Sequence, residues 1–388
     1  VASSGRVEPT SNRFDVIVVG LGGMGSAACF ELARRGRRVL GLEQFLLGHS
    51  QGSSHGHTRI IRTAYAEHPG YVPLIRRAYE RWYELERLSG NHLLTECPCL
   101  NFGVPGSELV EGVRASVREH GLPATELTGE EITRCFPAFQ VPADHAGVVE
   151  QAAGFLYVEK CVRAHLDCAN SLGAEIRASE AVQSWRAVGD SVEVATDRGA
   201  YSAARLVIAA GSWSSRLLAS LGVRLAVMRQ VQLWFDCGPR GDLFQRNRFP
   251  VFIADVPGGP VYGVPAIDSH GLKAARHYGA PELSHPDEVS WDVTEADLQP
   301  VQVVLDRYIP GLGPCTRSRV CMYTVTPDRH FVIDRHPEHP QVSLACGFSG
   351  HGFKFATVVG EILADLAETG GTAHPIDMFS ARRFGSRA

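Results

Sequence analysis

Residues Phe14 to Gly25 read F-D-V-I-V-V-G-L-G-G-M-G, and the interpretation of the whole chain starts there. Phe14 to Gly20 is a short apolar, β-branched run of the kind that forms a buried parallel strand. It runs into Gly20, Gly22 and Gly25 in G-x-G-x-x-G register. A helix is predicted from Ser26 to Gly36, then a second strand from Arg38 to Leu42 ending in Glu43. Each part has a task in holding a dinucleotide. The glycines let the backbone approach a pyrophosphate, the helix N-terminus meets its charge, and an acid about 20 positions on takes the ribose hydroxyls. The order of these parts identifies a dinucleotide site without separating FAD from NAD.

With 388 residues, 44% hydrophobic and 21% charged, the chain can bury a large core and reads as an ordinary globular protein of two domains. A formal charge of −4 gives no basic field for nucleic acid or an anionic membrane. No run approaches the roughly 20 apolar residues that span a bilayer. Val1 to Asn12 are polar and do not read as a secretion signal. The 10 cysteines fit neither a zinc ribbon nor a disulfide framework, so a reduced, cytoplasmic enzyme is expected. His55-Gly-His57 and His336-x-x-His339 lack a second ligand pair, and no metal site is expected.

Further along, helices are predicted at Val72–Leu88, Glu108–His120, Glu130–Phe136 and Val158–Leu172, with T-G-E-E as a capping signal for the third. Ala181–Arg186 and Ser191–Thr196 resemble a hairpin. Leu206–Gly211 reads as a strand returning to the first parallel sheet. Residues 226 to 325 carry strand-like runs at Val227–Phe235, Val251–Ala254 and Val261–Val264, with one helix at Glu295–Tyr308. They read as an antiparallel sheet domain over a ligand site.

Three polar clusters and one lysine stand out. His49 to Arg62, H-S-Q-G-S-S-H-G-H-T-R-I-I-R, offers glycines and hydroxyls, Ser53 and Thr58 among them, to phosphate or ring edges. Arg59 and Arg62 are three apart, so a helical turn would present both on one face. Gly271 to His277, G-L-K-A-A-R-H, puts Lys273, Ala275 and His277 on one face if extended. Lys273 is the only lysine between Lys160 and Lys354. Cys321-Met322-Tyr323 on a strand would share a face between Cys and Tyr, and from pattern alone the cysteine is a small hydrophobe. Finally, Gly347, Gly350 and Gly352 precede F-K-F-A-T-V-V-G-E-I-L, a helical pattern with Lys354 in its first turn. A cation is disfavoured at that positive end, so an anion is expected beside it.

These motifs are similar to those of the monomeric sarcosine oxidase and N-methyltryptophan oxidase family of flavin amine oxidases, within the D-amino-acid-oxidase-like fold. The resemblance spans nearly the whole chain and rests on G-L-G-G-M-G, S-S-H-G-H-T-R-I-I-R-x-A-Y, Y-V-P-L, G-L-K, C-M-Y-T-x-T-P-D-x-H-F-x-I-D-x-H-P-E-H and G-F-S-G-H-G-F-K-F. It implies an α/β protein with a discontinuous Rossmann-like FAD-binding domain (12–88, 155–225 and 331–380). An α+β substrate domain built on an antiparallel sheet would comprise 89–154 and 226–330. It implies FAD joined through its 8α-methyl to the sulfur of Cys321, and a substrate carboxylate clamped by Arg62 and Lys354. Lys273 would be the site of oxygen activation and Arg59 would lie beside the flavin. His55, Tyr262, His277 and Tyr323 would line the substrate cavity. His57 stands where the family often has aspartate, and Arg276 where less charged residues are common.

The reaction so implied takes a small-molecule secondary amino acid and O2 to an imine and hydrogen peroxide, in an enzyme expected to be monomeric. Oxidation of a cyclic amino acid such as pipecolate or proline is the nearest alternative. An NAD-dependent dehydrogenase and a flavin-binding protein without turnover are the remoter ones.

Overall fold

The structure, a computed structural model, describes residues 13–385, so the Val1–Asn12 stretch lies outside it. The strand Arg13–Val19 pairs in parallel with Val39–Leu42 on one side and Ala200–Ile208 on the other. Val342–Cys346 extends that parallel sheet beyond Ala200–Ile208, and Glu175–Arg177 extends it beyond Val39–Leu42. The hairpin Val182–Val188 and Ser191–Thr196 is antiparallel and attaches at the edge. Four residues of the first strand, Val16 to Val19, are buried, as a parallel strand covered on both faces requires.

A second, larger sheet is mostly antiparallel. Ala226–Phe235 is its spine, paired antiparallel with Leu272–Arg276 and along its length with Cys315–Val325. Val261–Val264 and Val251–Asp255 continue outward, followed by Cys99–Gly103, Ala146–Glu150 and Ala124–Thr128. A short sheet of Thr58–Ile61, Gly154–Tyr157 and Leu94–Glu96 is the third.

Most helices fall where periodicity puts them. Glu108–His120 matches its expected bounds, and the Thr128–Glu131 capping box starts the Gly129–Cys135 helix. The first helix begins at Gly23, three residues before the expected start, so Gly25 lies inside it. Only glycine fits there, because a Cβ on Gly25 would stand 1.8 Å from the Gly20 carbonyl oxygen. Two other expectations are corrected. Arg59 lies on the extended Thr58–Ile61 strand and Arg62 follows it, so no helical turn presents them. Lys354 occupies a 3₁₀ turn, Phe353–Phe355, that feeds the helix Ala356–Thr369 rather than forming its first turn.

One helix crossing aligns the two halves of the cofactor cradle. The Gly23–Arg34 and Ala356–Thr369 helices approach so closely at Gly360 that a Cβ there would lie 2.6 Å from the Ala27 backbone. This brings both helix N-termini to one side of the parallel sheet. Neither N-cap residue supplies a side-chain cap and neither first turn carries an acid, but Ser54 Oγ takes the Gly23 N–H and the 3₁₀ turn takes that of Ala356. Gly360→Val should therefore destabilise the protein by about 1–3 kcal/mol through overpacking. A denaturant titration checks this, and an unchanged midpoint contradicts it.

Candidate active site

A single cleft runs from the dinucleotide glycines to the turn that carries Lys354. Gly20, Gly22, Glu43 and Ser53 line one end, and Arg59, Arg62, Tyr262, His277, Tyr323, Gly350, Gly352 and Lys354 line the rest. At the nucleotide end, the buried Glu43 carboxylate is fixed by two backbone amides. Leu21 N–H donates to Oε2 at 2.9 Å and Phe45 N–H to Oε1 at 3.1 Å. Ser54 Oγ accepts from Gly23 N–H at 2.9 Å, and Ser53 Oγ donates to the Met322 carbonyl at 2.5 Å. The serine loop therefore bridges the glycine turn and the second sheet.

That loop is held on both flanks by carboxylates from distant sequence, the half-buried Glu159 and the buried Glu150. Glu159 Oε1 accepts from Gly56 N–H at 2.7 Å and His57 N–H at 3.2 Å. Glu150 accepts from Thr63 N–H at 2.8 Å and Ala64 N–H at 2.9 Å. Between them, the loop returns two carbonyls to the second sheet: Lys273 Nζ donates to Gly56 O at 2.6 Å and Thr58 O at 2.8 Å. Burial, with Arg59 nearby, draws the Lys273 pKa well below that of an ordinary lysine.

At the far end Arg62 and Lys354 converge on Tyr65, with the guanidinium 4.7 Å and the ammonium 5.3 Å from the ring centre. Lys354 Nζ donates to the His351 carbonyl at 2.8 Å, and Trp82 Nε1 pins the Lys354 carbonyl at 2.8 Å. Arg62 donates to Ala64 O at 2.7 Å and pairs with Glu67 at 3.0 Å, while its Nε–H is buried without a partner. Burial, then the Arg62 charge, pulls the Lys354 pKa down to about 7. Burial opposes ionisation of Glu67, but Arg62, His351 and Lys354 outweigh it and hold the carboxyl below its usual range.

The opposite wall is neutral. Tyr323 Oη lies 3.3 Å from His277 Nδ1, and burial depresses the His277 pKa to about 3. Burial also pushes Tyr262 up to about 12 and Tyr323 well above an ordinary tyrosine. Uncharged surroundings of this kind strengthen the pull of the two cations on an anion.

Not every expected residue faces the cleft. His55 turns into its loop, Nε2 lying 3.1 Å from the Gly52 carbonyl, and burial lowers its pKa to about 4. The buried Thr58 contributes its carbonyl rather than its hydroxyl. Gly25 packs behind Gly20. Cys321 is 1% exposed and is not among the lining residues, although it shares a strand face with Tyr323. Three contributors went unread in the sequence. Glu67 and Tyr65 surround Arg62, and Tyr65 Oη meets His351 Nδ1 at 2.6 Å. Their only sequence signal is an acid and a tyrosine a few residues after Arg62 in A-Y-A-E.

A dinucleotide cradle joined to a recess that holds two buried cations describes a flavin- or nicotinamide-dependent oxidoreductase. The chain belongs to the FAD-dependent oxidoreductase family, whose signature it matches over residues 15–366. It is 44% identical to a monomeric sarcosine oxidase of Streptomyces avermitilis over 96% of this chain and 98% of that one. It is 40% identical to one from a Bacillus species (96% and 97%) and 34% identical to an N-methyl-L-tryptophan oxidase of Yersinia pestis (96% and 99%). Among solved structures it resembles NikD, an unusual amino acid oxidase essential for nikkomycin biosynthesis, at 25% identity and a TM-score of 0.83, covering 95% of this chain and 97% of that one. L-proline dehydrogenase from P. horikoshii shares the fold at 22% identity and the same score, covering 96% and 98%. The protein is thus an FAD-dependent amine oxidase. The glycine cradle and the fixed Glu43 fit that dinucleotide. No helix among the described residues is long and apolar enough to cross a membrane.

The Lys354 pKa yields a test. A carboxylate prefers the protonated amine, so binding raises this pKa above its free value of about 7. Affinity should be greatest below pH 7 and fall, by up to about tenfold per unit, as pH rises from there towards the raised pKa, then level off. Methoxyacetate, which has no amine to titrate, isolates the effect when bound to the flavin-loaded enzyme and followed by visible absorbance. Lys354→Met should bind more weakly and without that slope. Flat or rising affinity in the wild type contradicts the assignment.

Proposed function

We propose that this enzyme oxidises a secondary amino acid, sarcosine or another N-methyl amino acid, to an imine that hydrolyses, with O2 reduced to hydrogen peroxide. The observation that carries the reading is the convergence of Arg62 and Lys354 on Tyr65 at the blind end of the dinucleotide cleft. A substrate carboxylate docked there satisfies the unpartnered Arg62 Nε–H, supplies the anion that Lys354 lacks, and competes with Glu67 for the guanidinium. The names of the relatives, sarcosine and N-methyltryptophan oxidases, support the choice of an N-methyl amino acid.

In this reading FAD, when bound, accepts two electrons and a hydrogen from the substrate carbon next to nitrogen. Arg62 and Lys354 fix the substrate so that this carbon faces the cofactor. Tyr262, His277 and Tyr323 form the neutral wall around the amine and keep water out. Arg59, anchored to the Thr58 and Ser53 carbonyls at 2.8 Å each, adds a cation beside the cofactor where negative charge develops. Lys273 is the cation offered to oxygen. Gly350 and Gly352 bring backbone close to the ring, while Gly20, Gly22, Gly25, Glu43, Ser53 and Thr58 build the dinucleotide cradle. His55 acts from behind by bracing the loop. Cys321 carries the covalent tether, a role supported by its place on the Tyr323 face and its proximity to Lys273 and Tyr262. The monomeric relatives support a monomer, and 10 unpaired cysteines support a reducing cytoplasm.

A panel of sarcosine, other N-methyl amino acids, pipecolate and proline, read by peroxide release, should show fastest turnover with an N-methyl amino acid. Absence of peroxide with every secondary amino acid defeats the proposal. Separately, wild-type protein denatured in acid should keep its yellow colour, and Cys321→Ala should lose it. Release of flavin by the wild type removes the tether. Lys273→Met should slow reoxidation by O2 much more than reduction by substrate, as resolved by stopped-flow absorbance. Equal slowing of both steps contradicts the role given to Lys273.

A further inference from the structure

Gln232 is fully buried, and neither the oxygen nor the nitrogen of its side-chain amide meets a hydrogen-bond partner in the protein. A buried amide in that condition is strongly disfavoured unless something small and polar satisfies it. Its position says what that is. Gln232 stands opposite Ala275 on one neighbouring strand and Arg319 on the other. Alternation then puts it on the same face as Lys273 and His277 on one side and Cys321 and Tyr323 on the other. Lys273 is its diagonal neighbour; the small Ala275 stands at one corner between them and Trp234, opposite Lys273, at the other, its ring centre 5.3 Å from Nζ.

The two groups also meet the same peptide. Gly56, with φ of 91°, packs so tightly on Gln232 that a Cβ would lie 2.1 Å from the amide oxygen. The carbonyl of that same Gly56 accepts one hydrogen of the Lys273 ammonium, and Thr58 O accepts another. An ammonium has three hydrogens, and the third has no oxygen partner in the protein, only the face of the Trp234 ring 5.3 Å from Nζ, so it can turn to a small polar ligand. An amide that can both donate and accept, beside an ammonium with one free donor, is a built site for a water-sized oxygen ligand. Two hydrogen bonds through one such ligand span roughly 5–6 Å, within reach of diagonal neighbours.

We infer that Gln232 is a positioning residue for Lys273, holding between its amide and the ammonium an ordered water that sits where oxygen is received. The inference rests on the proposed oxidase reading. Reducing O2 to H2O2 takes two electrons from the reduced flavin and two protons, and the oxygen is negatively charged until the protons arrive. Gln232 contributes by fixing the direction of the third Lys273 hydrogen and by adding a neutral donor at the same point. Its amide does not reach the carboxylate recess, whose anchors Arg62 and Lys354 converge on Tyr65, so substrate reduction should not depend on it.

The test combines a high-resolution crystal structure of the flavin-loaded enzyme with stopped-flow measurement of the two half-reactions in Gln232→Met, a variant of similar length. The wild type should show a solvent molecule within hydrogen-bond distance of both Gln232 and Lys273. In the variant that solvent should be lost and reoxidation slowed roughly tenfold, as expected for one hydrogen bond to a charged group, with reduction by sarcosine changed by less than about twofold. Absence of bridging solvent in the wild type overturns the inference whether or not the variant folds. So does equal slowing of both half-reactions, or no change in either. Wild-type enzyme that no secondary amino acid reduces overturns the underlying oxidase reading, while the crystallographic result still decides the Gln232 claim.

Discussion

The Lys273 ammonium, bonded to the Gly56 and Thr58 carbonyls, joins the substrate sheet to the loop that serves the dinucleotide. A buried cation bonded only to neutral carbonyls is poorly compensated, and its pKa falls accordingly. The arrangement persists because the loop cannot relax away: Glu159 and Glu150 clamp its backbone on either side. From that fixed loop follow the direction of Arg59, the reach of Ser53 to Met322, and the position of Arg62 at the end of the Thr58–Ile61 strand.

The same economy of counter-charge marks the other end of the cleft. Arg62 and Lys354 share one tyrosine ring and one nearby carboxylate, Glu67. Glu67 is paired with Arg62, and burial, then the Arg62 charge, depresses the Lys354 pKa. Neutral tyrosines and an unprotonated histidine on the facing wall add nothing that competes. The cleft therefore offers two cations at one end and an uncharged wall facing them.

How much of this was legible depended on how local each feature is. The strand–glycine–helix–strand–acid order of residues 13–43 is local and was readable, whereas Lys354 was placed in a first helical turn that the 3₁₀ turn Phe353–Phe355 displaces. Arg59 and Arg62 were misplaced because a three-residue spacing suggests a helical turn. What makes the segment a strand is its pairing with Gly154–Tyr157 and the Glu159 and Glu150 clamps, all nearly 100 residues away. Glu67 and His351 acquire meaning only from the space around Tyr65. Gln232 is one polar residue in a strand pattern until sheet register sets it diagonal to Lys273. The pattern placed Cys321 and Tyr323 on one face, but the tether itself came from family resemblance.

The central claim is that two buried cations recognise the substrate's carboxylate. Its most direct test compares the rate of peroxide release, as kcat/KM, for sarcosine and for its neutral amide, N-methylglycinamide. Loss of a buried charge partner of this kind should reduce kcat/KM for the amide by at least about 30-fold. In Arg62→Met the gap should narrow. Equal kcat/KM for the acid and the amide in the wild type would contradict the account.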